Sequence, residues 1–273
     1  MITIQQEDSV DALALYKAQY LQQTTAPLDG MWLVGFVPLA THYGFYHESE
    51  LVGYCCVNDE GYLLQFHLSQ AHQLQAAELF SHITTNKCDE IREIQGAFTS
   101  TAEPQMLSYC ADAFRQISVN ALMYQYPEEN VSANPDGDAL SLSLLDNNQL
   151  ALAVTFAHQA IGAPTDWLTG YFQNLIDRQE LFGYFKNKSL AATGECRGFD
   201  DYQSKYADLG VIVCQDLRRK GVATRVIQQL TRIAIANNLT PICSTQKTNI
   251  GAQRAIENAG FIAPHRIIQF NNP

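Results

Sequence analysis

The run Arg218-Arg219-Lys220-Gly221-Val222-Ala223-Thr224 sets three basic residues and a glycine directly after the apolar stretch LGVIV, Leu209 to Val213. From Gly221 onward, Val222, Val226, Leu230 and Ile233 recur at helical spacing, with Ala223, Ile227 and Ala234 beside them. Arg225, Gln228, Gln229 and Arg232 fall on the opposite face. A helix that starts inside a basic run turns its unpaired backbone N–H groups back into the turn, where its dipole favours an anion. Glycine lets the backbone pass close to a ligand. Strand, basic glycine turn and helix start together have the make-up of a phosphate cradle. The other reading is a plain turn with its charges in water. GxxxxGK(S/T) and GxGxxG are both absent, so neither the mononucleotide loop nor the dinucleotide fingerprint is present.

The chain around this run has 273 residues, 47% of them hydrophobic and 16% charged, which suits one large globular domain or two ordinary ones. The net charge of -11 is unevenly spread. Residues 1–135 carry 4 Lys+Arg against 16 Asp+Glu, and residues 136–273 carry 13 against 12. Two units with different surfaces follow, and the acidic half argues against nucleic acid as a partner. No stretch approaches the ~20 apolar residues that cross a bilayer, and MITIQQEDSVDALALYK does not read as a secretory signal. The seven cysteines show no CxxC spacing, so we expect reduced thiols, no metal site and a cytoplasmic protein.

The sharpest change of composition is YPEENVSANPDGD, residues 126–138, which places a linker near Val131 and domains at 1–130 and 138–273. In the first half, strands are expected at 1–5, 51–59, 62–69, 93–101 and 117–127, and helices at 9–23, 72–86 and 103–114. A further strand is expected in either MWLVGFVPL (31–39) or YGFYHESE (43–50). In the second half, strands are expected at 138–146, 180–187, 188–199, 206–215, 241–246 and 261–270. Helices are expected at 147–163, 165–179, 221–237 and 250–260. Such a mixture indicates an α/β or α+β layered fold.

Arg218-x-x-Gly221-x-Ala223, directly after LGVIV, resembles the Q/R-x-x-G-x-G/A signature of the GNAT superfamily of acetyl-CoA-dependent N-acetyltransferases. A second block follows in order: strand PICSTQ, Asn249, helix GAQRAIENAG and then Phe261, with ENAGF close to the family's E-K-x-G-F. The first half carries a fainter likeness in YHESELVGYCCVN and YLLQFHLSQAHQLQAAELFSHI, and at its equivalent turn it has neither glycine nor basic residues. The resemblance implies tandem GNAT-like domains, each a mixed, mostly antiparallel sheet flanked by helices. The first copy is then degenerate and lacks the cofactor motif.

The resemblance further implies that the pyrophosphate of acetyl-CoA lies on Arg218, Arg219, Lys220, Gly221, Val222, Ala223 and Thr224, with Val211, Ile212 and Val213 along the pantetheine arm. Asn249 matches an asparagine that commonly contacts the cofactor and is equally placed to cap its helix. The family's base is a carboxylate on a central strand, for which Asp208 and Glu195 are the candidates. Two departures stand out: Ala252 where a serine is usual, and Ile256 where a tyrosine often acts as general acid. Ser244, Cys243 and His265 are alternative proton donors, and Tyr171, Phe172, Phe182, Tyr184 and Phe185 serve either the acceptor side or the core. The implied reaction is acetyl transfer to a primary amine of a small molecule or peptide. The alternative is a non-catalytic acyl-CoA-binding or interaction module.

Overall fold

The computed structural model describes residues 2–85, 87–127, 140–200 and 202–272. In chain order the elements are β1 (Ile2–Glu7), α1 (Ala14–Gln22), the helical turn α2 (Val37–Leu39), β2 (Thr41–His47), β3 (Glu50–Val57) and β4 (Tyr62–Leu68). There follow α3 (Ala76–Thr84), β5 (Gly96–Ser100), α4 (Pro104–Ala113) and β6 (Gln116–Gln125). The second half holds β7 (Ser143–Leu144), α5 (Leu150–Ile161), α6 (Thr165–Asp177), β8 (Leu181–Lys186), β9 (Ser189–Gly198) and β10 (Tyr206–Val213). It ends with α7 (Val222–Ala236), β11 (Thr240–Gln246), α8 (Ile250–Asn258) and β12 (Ile262–Asn271).

The chain divides into two compact units, and the division follows strand pairing rather than chain order. Unit 1 takes residues 1–122 together with 265–273, and unit 2 takes residues 123–264. This differs from the expected domains at 1–130 and 138–273, and of the expected linker at 126–138 residues 128–138 lie outside the described residues. In unit 1 the strands run in the order β1-β2-β3-β4-β5, and β12 from the chain's end adds antiparallel to β5. In unit 2 the order is β11-β10-β9-β8-β7, and Tyr126 N donates to Pro241 O at 3.0 Å. Each unit is therefore completed by residues from the other half of the sequence. Only β4·β5 in unit 1 and β10·β11 in unit 2 are parallel among the ladders described, so both sheets are mixed and mostly antiparallel.

Repeated local chemistry shapes both sheets. The β2–β3 hairpin turns on Glu48 and Ser49 (φ 51° and 70°), and the β8–β9 hairpin on Asn187 and Lys188 (φ 53° and 65°). Two successive left-handed residues make a turn whose twist matches that of the flanking strands. Each hairpin also carries one extra residue in its second strand, Val52 opposite the step from Phe45 to Tyr46 and Ala191 opposite the step from Tyr184 to Phe185. The core of unit 1 gathers Phe45, Phe66, Phe80 and Phe114 between its sheet and α3 and α4, and unit 2 packs Phe172, Leu175 and Ile176 of α6 beside Ala153, Phe156 and Ala157 of α5.

Of the two places offered for one strand the second is the one that forms, and another expected strand is much shorter. MWLVGFVPL is helical, a π-turn over Trp32–Phe36 leading into α2, and the strand is the neighbouring Thr41–His47. Asp29 starts that turn: Trp32 N donates to its Oδ1 at 2.7 Å and Leu33 N to its carbonyl at 3.1 Å. An unbroken apolar run carries no period that separates strand from helix, so the capping carboxylate decides. Of 138–146, only Ser143 and Leu144 pair, with Gly183 and Phe182, and residues 138 and 139 lie outside the described residues.

Candidate functional site

The site grows from a short ladder. β10 and β11 pair in parallel only at Tyr206↔Thr240, Ala207↔Pro241 and Asp208↔Ile242. Beyond Asp208 they part, while β10 stays paired with β9 as far as Val213↔Ala192. A cavity of about 1230 Å³ occupies the split. Leu209 to Val213 of β10 form one wall and Cys243, Ser244 and Thr245 of β11 the other. The start of α7, residues 221–224, and α8 from Ile250 to Ala252 close it.

Gly221 is the N-cap of α7 at φ 73° and ψ 5°, a left-handed conformation that costs a residue with a side chain ~1–2 kcal/mol. A Cβ built on it meets no protein atom within 4 Å, so this side of the glycine faces open space. Arg219 is also left-handed, at φ 59°. The first bond into the helix is Arg225 N to Gly221 O at 3.2 Å, and the N–H groups of Val222, Ala223 and Thr224 have no partner among the described residues. Three donors and the positive end of a 15-residue helix thus open into the cavity.

Ten of the eleven residues expected at a cofactor line this cavity: Val211, Ile212, Val213, Arg218, Arg219, Gly221, Val222, Ala223, Thr224 and Asn249. Lys220 is exposed and is not among the lining residues. Arg218 holds the protein together as well: its Nε donates to Val213 O at 3.2 Å and its Nη2 to Ala160 O at 2.6 Å, in the last turn of α5. Its guanidinium therefore ties the end of β10 to the negative end of a helix. Asn249 does what a cap does, its Oδ1 accepting from Ala252 N at 3.2 Å, and also faces the cavity. Arg254, exposed on α8, joins the lining without having been anticipated. Five residues beyond Asn249, it falls outside the three-or-four spacing at which helical side chains meet, so the sequence carried no periodic signal for it.

The two candidate carboxylates lie beneath the cavity wall, at the closed end of the split. Asp208 and Arg197 are opposite partners in the β9–β10 ladder, as are Gly210 and Glu195. Residues two apart on a strand share a face, so all four sit on one side of the sheet. Asp208 is 1% exposed and Glu195 6%. Arg197 serves both: Nη2 donates to Asp208 Oδ2 at 2.5 Å and Nη1 to Glu195 Oε2 at 3.0 Å. Tyr171 of α6 joins them, its hydroxyl donating to Glu195 Oε2 at 2.6 Å and accepting from Arg197 Nη1.

Burial works against the charge on Arg197, but Asp208 and Glu195 outweigh it and hold the guanidinium pKa well above its ordinary value. Burial and then the Glu195 carboxylate push the Tyr171 hydroxyl up, so it stays protonated as a donor. Gly210 makes the arrangement possible, because a Cβ there would stand 2.8 Å from Glu195 Oε2. Glycine inside a strand marks such a close approach. Spacing alone puts Glu195 and Arg197 on one face of β9, whereas Asp208 is brought in by register and the phenol by a separate helix.

Of the other candidates, Cys243 and Ser244 line the cavity, whereas His265 belongs to unit 1 and bonds Thr101 Oγ1 at 3.1 Å. Phe172 and Phe182 are core residues. Ala252 and Ile256 face the cavity without a hydroxyl.

Comparison with known proteins identifies the family of both halves. A family model described as an acetyltransferase (GNAT) domain matches residues 9–127, and one described as the acetyltransferase (GNAT) family matches residues 151–261. A solved acetyltransferase from the GNAT family of Colwellia psychrerythraea is 45% identical, with a TM-score of 0.95 over 99% of this chain and 100% of its own. A tandem GNAT protein from the clavulanic acid biosynthesis pathway shares the fold at 12% identity, with a TM-score of 0.68 and 98% of each chain covered. A GCN5-related N-acetyltransferase from Sphaerobacter thermophilus does so at 11% identity, with a TM-score of 0.61 over 98% of this chain and 94% of its own. No curated protein matches the sequence.

Proposed function

The chain belongs to the GNAT family of acetyltransferases, and on that premise we propose that it moves an acetyl group from acetyl-CoA to a primary amine of a small molecule or peptide. The observation that carries this reading is the open split of unit 2, with the free N–H groups of Val222, Ala223 and Thr224 at its mouth beyond a left-handed Gly221. Those amides and the charge of Arg219 take the pyrophosphate. Lys220 adds long-range attraction rather than contact. The pantetheine arm runs along the β10 edge that β11 has released, from Val213 toward Val211, and Asn249 borders it from α8. The thioester then lies toward the closed end of the split, near Gly210.

The acceptor nitrogen attacks the thioester carbonyl carbon, a tetrahedral oxyanion forms, the C–S bond breaks and coenzyme A leaves as thiolate. A proton must leave the acceptor amine before or during the attack. Of the two carboxylates, Glu195 is the better placed. It lies against Gly210, which lines the cavity, and its Oε1 accepts no hydrogen bond among the described residues. Asp208 lies deeper and supports Arg197. With Ala252 and Ile256 on the wall, the Ser244 hydroxyl, which lines the cavity, is our candidate to protonate the thiolate. The seven cysteines are all free, which suits a reducing, cytoplasmic setting.

A second reading, an acyl-CoA-binding module without turnover, draws on those same hydroxyl-free wall positions. Thiol release from acetyl-CoA, followed across a panel of primary amines, separates the two. Amine-dependent release supports transfer, whereas saturable binding of coenzyme A with no release across the panel supports the module. The absence of both binding and release overturns either reading.

A further inference from the structure

Glu195 Oε2 is fully engaged, since it accepts from Tyr171 Oη at 2.6 Å and from Arg197 Nη1 at 3.0 Å. Oε1 is left over, and it is not among the buried polar atoms that lack a partner, so it keeps contact with solvent. The carboxylate is therefore oriented, with one oxygen anchored and the other presented. Arg197 alone does not fix this orientation, because it is shared with Asp208 at 2.5 Å. The phenol adds the second, directional bond.

The phenol is itself held. Its ring lies parallel to that of Trp167, with centroids 4.9 Å apart and planes 13° apart, and its other neighbour is the fully buried Phe172. Trp167 and Tyr171 are four apart on α6, the spacing at which helical side chains meet.

We propose that Tyr171 is a positioning residue for acetyl transfer: its hydroxyl pins Glu195 Oε2 so that Oε1 is the atom that receives the acceptor's proton. The inference rests on the acetyl-transfer reading above and adds the residue that selects Glu195 over Asp208. In the step itself, the N–H bond of the attacking amine breaks, directly or through one water, and an O–H bond forms at Oε1. Tyr171 keeps its own proton throughout.

Tyr171→Phe tests this, because it removes the hydroxyl and keeps the ring stacked on Trp167. A donor to a carboxylate stabilises its charged form, so its loss moves the acidic limb of the kcat/KM profile upward, by about one pH unit. kcat falls about tenfold, while KM for acetyl-CoA and coenzyme A affinity change less than about twofold, since Tyr171 is not a cavity residue. In a Glu195→Gln background the same substitution has no further effect on kcat, because Tyr171 acts through Glu195. An unmoved pH profile, or an equal loss in both backgrounds, overturns the role of Tyr171 while leaving acetyl transfer in place. A wild-type protein that releases no thiol with any amine overturns both.

Discussion

Units 1 and 2 begin the same split and finish it differently. In unit 1 the parallel ladder β4·β5 ends at Leu63↔Ala97, and in unit 2 β10·β11 ends at Asp208↔Ile242. Six residues past each lies the cap of a 3-10 turn, Ser69 and Cys214, with nearly identical backbone angles. Counted this way, Phe66 stands where unit 2 has Val211. Val211 lines the cavity, whereas Phe66 is 2% exposed and packs its ring against Phe45, Phe80 and Tyr109 at 5.1 to 5.7 Å.

The helix starts differ in the same sense. The 3-10 turn of unit 1 runs straight into α3 through right-handed Gln75, and Ala76 N is already bonded to Gln73 O. Gln73 in turn bonds Leu68 O, Gln105 and Tyr109. At the cap of the helix after the split, unit 2 shows exposed Asn249 and unit 1 shows Glu103, 4% exposed and bonded to Tyr20, Ser100 N and Thr99. One aromatic ring, a helix start without glycine and one inward-turned carboxylate occupy in unit 1 the positions that border the cleft in unit 2.

The largest expected effect tests whether the chain's end belongs to unit 1. Deleting residues 265–273 removes the strand paired with β5 and exposes the positions buried by Ile267, Ile268 and Phe270. At ~1.5–3 kcal/mol per side chain the loss approaches the whole stability of an ordinary domain. Unit 1 should lose protease resistance, and survival of its core fragment in limited proteolysis would contradict the division.

Phe66→Ala should cost about 4 kcal/mol in urea unfolding, as a buried aromatic does, without giving unit 1 any affinity for coenzyme A. Gain of a second binding site in calorimetry would mean that the ring alone had closed it. Glu103 gives a pH signature. Burial raises its pKa to about 7 from an ordinary 4.5. Its stabilisation is thus complete below about pH 4.5 and is lost as pH rises through 7. Between pH 5 and 8 the stability gap between wild type and Glu103→Gln should move by about 3 kcal/mol in favour of the variant, and a constant gap would refute the assignment.

Gly221→Val meets no protein atom at its Cβ but carries the ~1–2 kcal/mol strain of a left-handed backbone, so the fold should stand at reduced stability while coenzyme A binding weakens about a hundredfold, equivalent to about 3 kcal/mol. Unchanged affinity in calorimetry would remove the cradle from unit 2. Arg218→Lys is the mildest change. Losing the fork to Val213 O and Ala160 O should lower stability by about 1 kcal/mol, with less effect on affinity than Gly221→Val. A larger effect on affinity than on stability would make Arg218 a ligand contact first.

The cleft of unit 2 was largely legible in the sequence because its parts are local. A strand, a glycine turn and a helix start lie within about twenty residues, and the backbone supplies the donors. The carboxylate network was only half legible. Glu195 and Arg197 share a face by spacing, but their pairing with Asp208 depends on register, and Tyr171 reaches them from a different element. The closing of unit 1 was readable as a lack of glycine, not as the packing of Phe66. Strand membership was hidden altogether, since nothing in residues 265–273 says which sheet they join. MWLVGFVPL was open to either reading until Asp29 decided it.

That crossing of strand ownership has a further consequence for inheritance. Because 265–273 complete unit 1 and Tyr126 is bonded within unit 2, neither half of the gene encodes a finished sheet. Losing either half would leave the remaining sheet unfinished, so the two halves are inherited together.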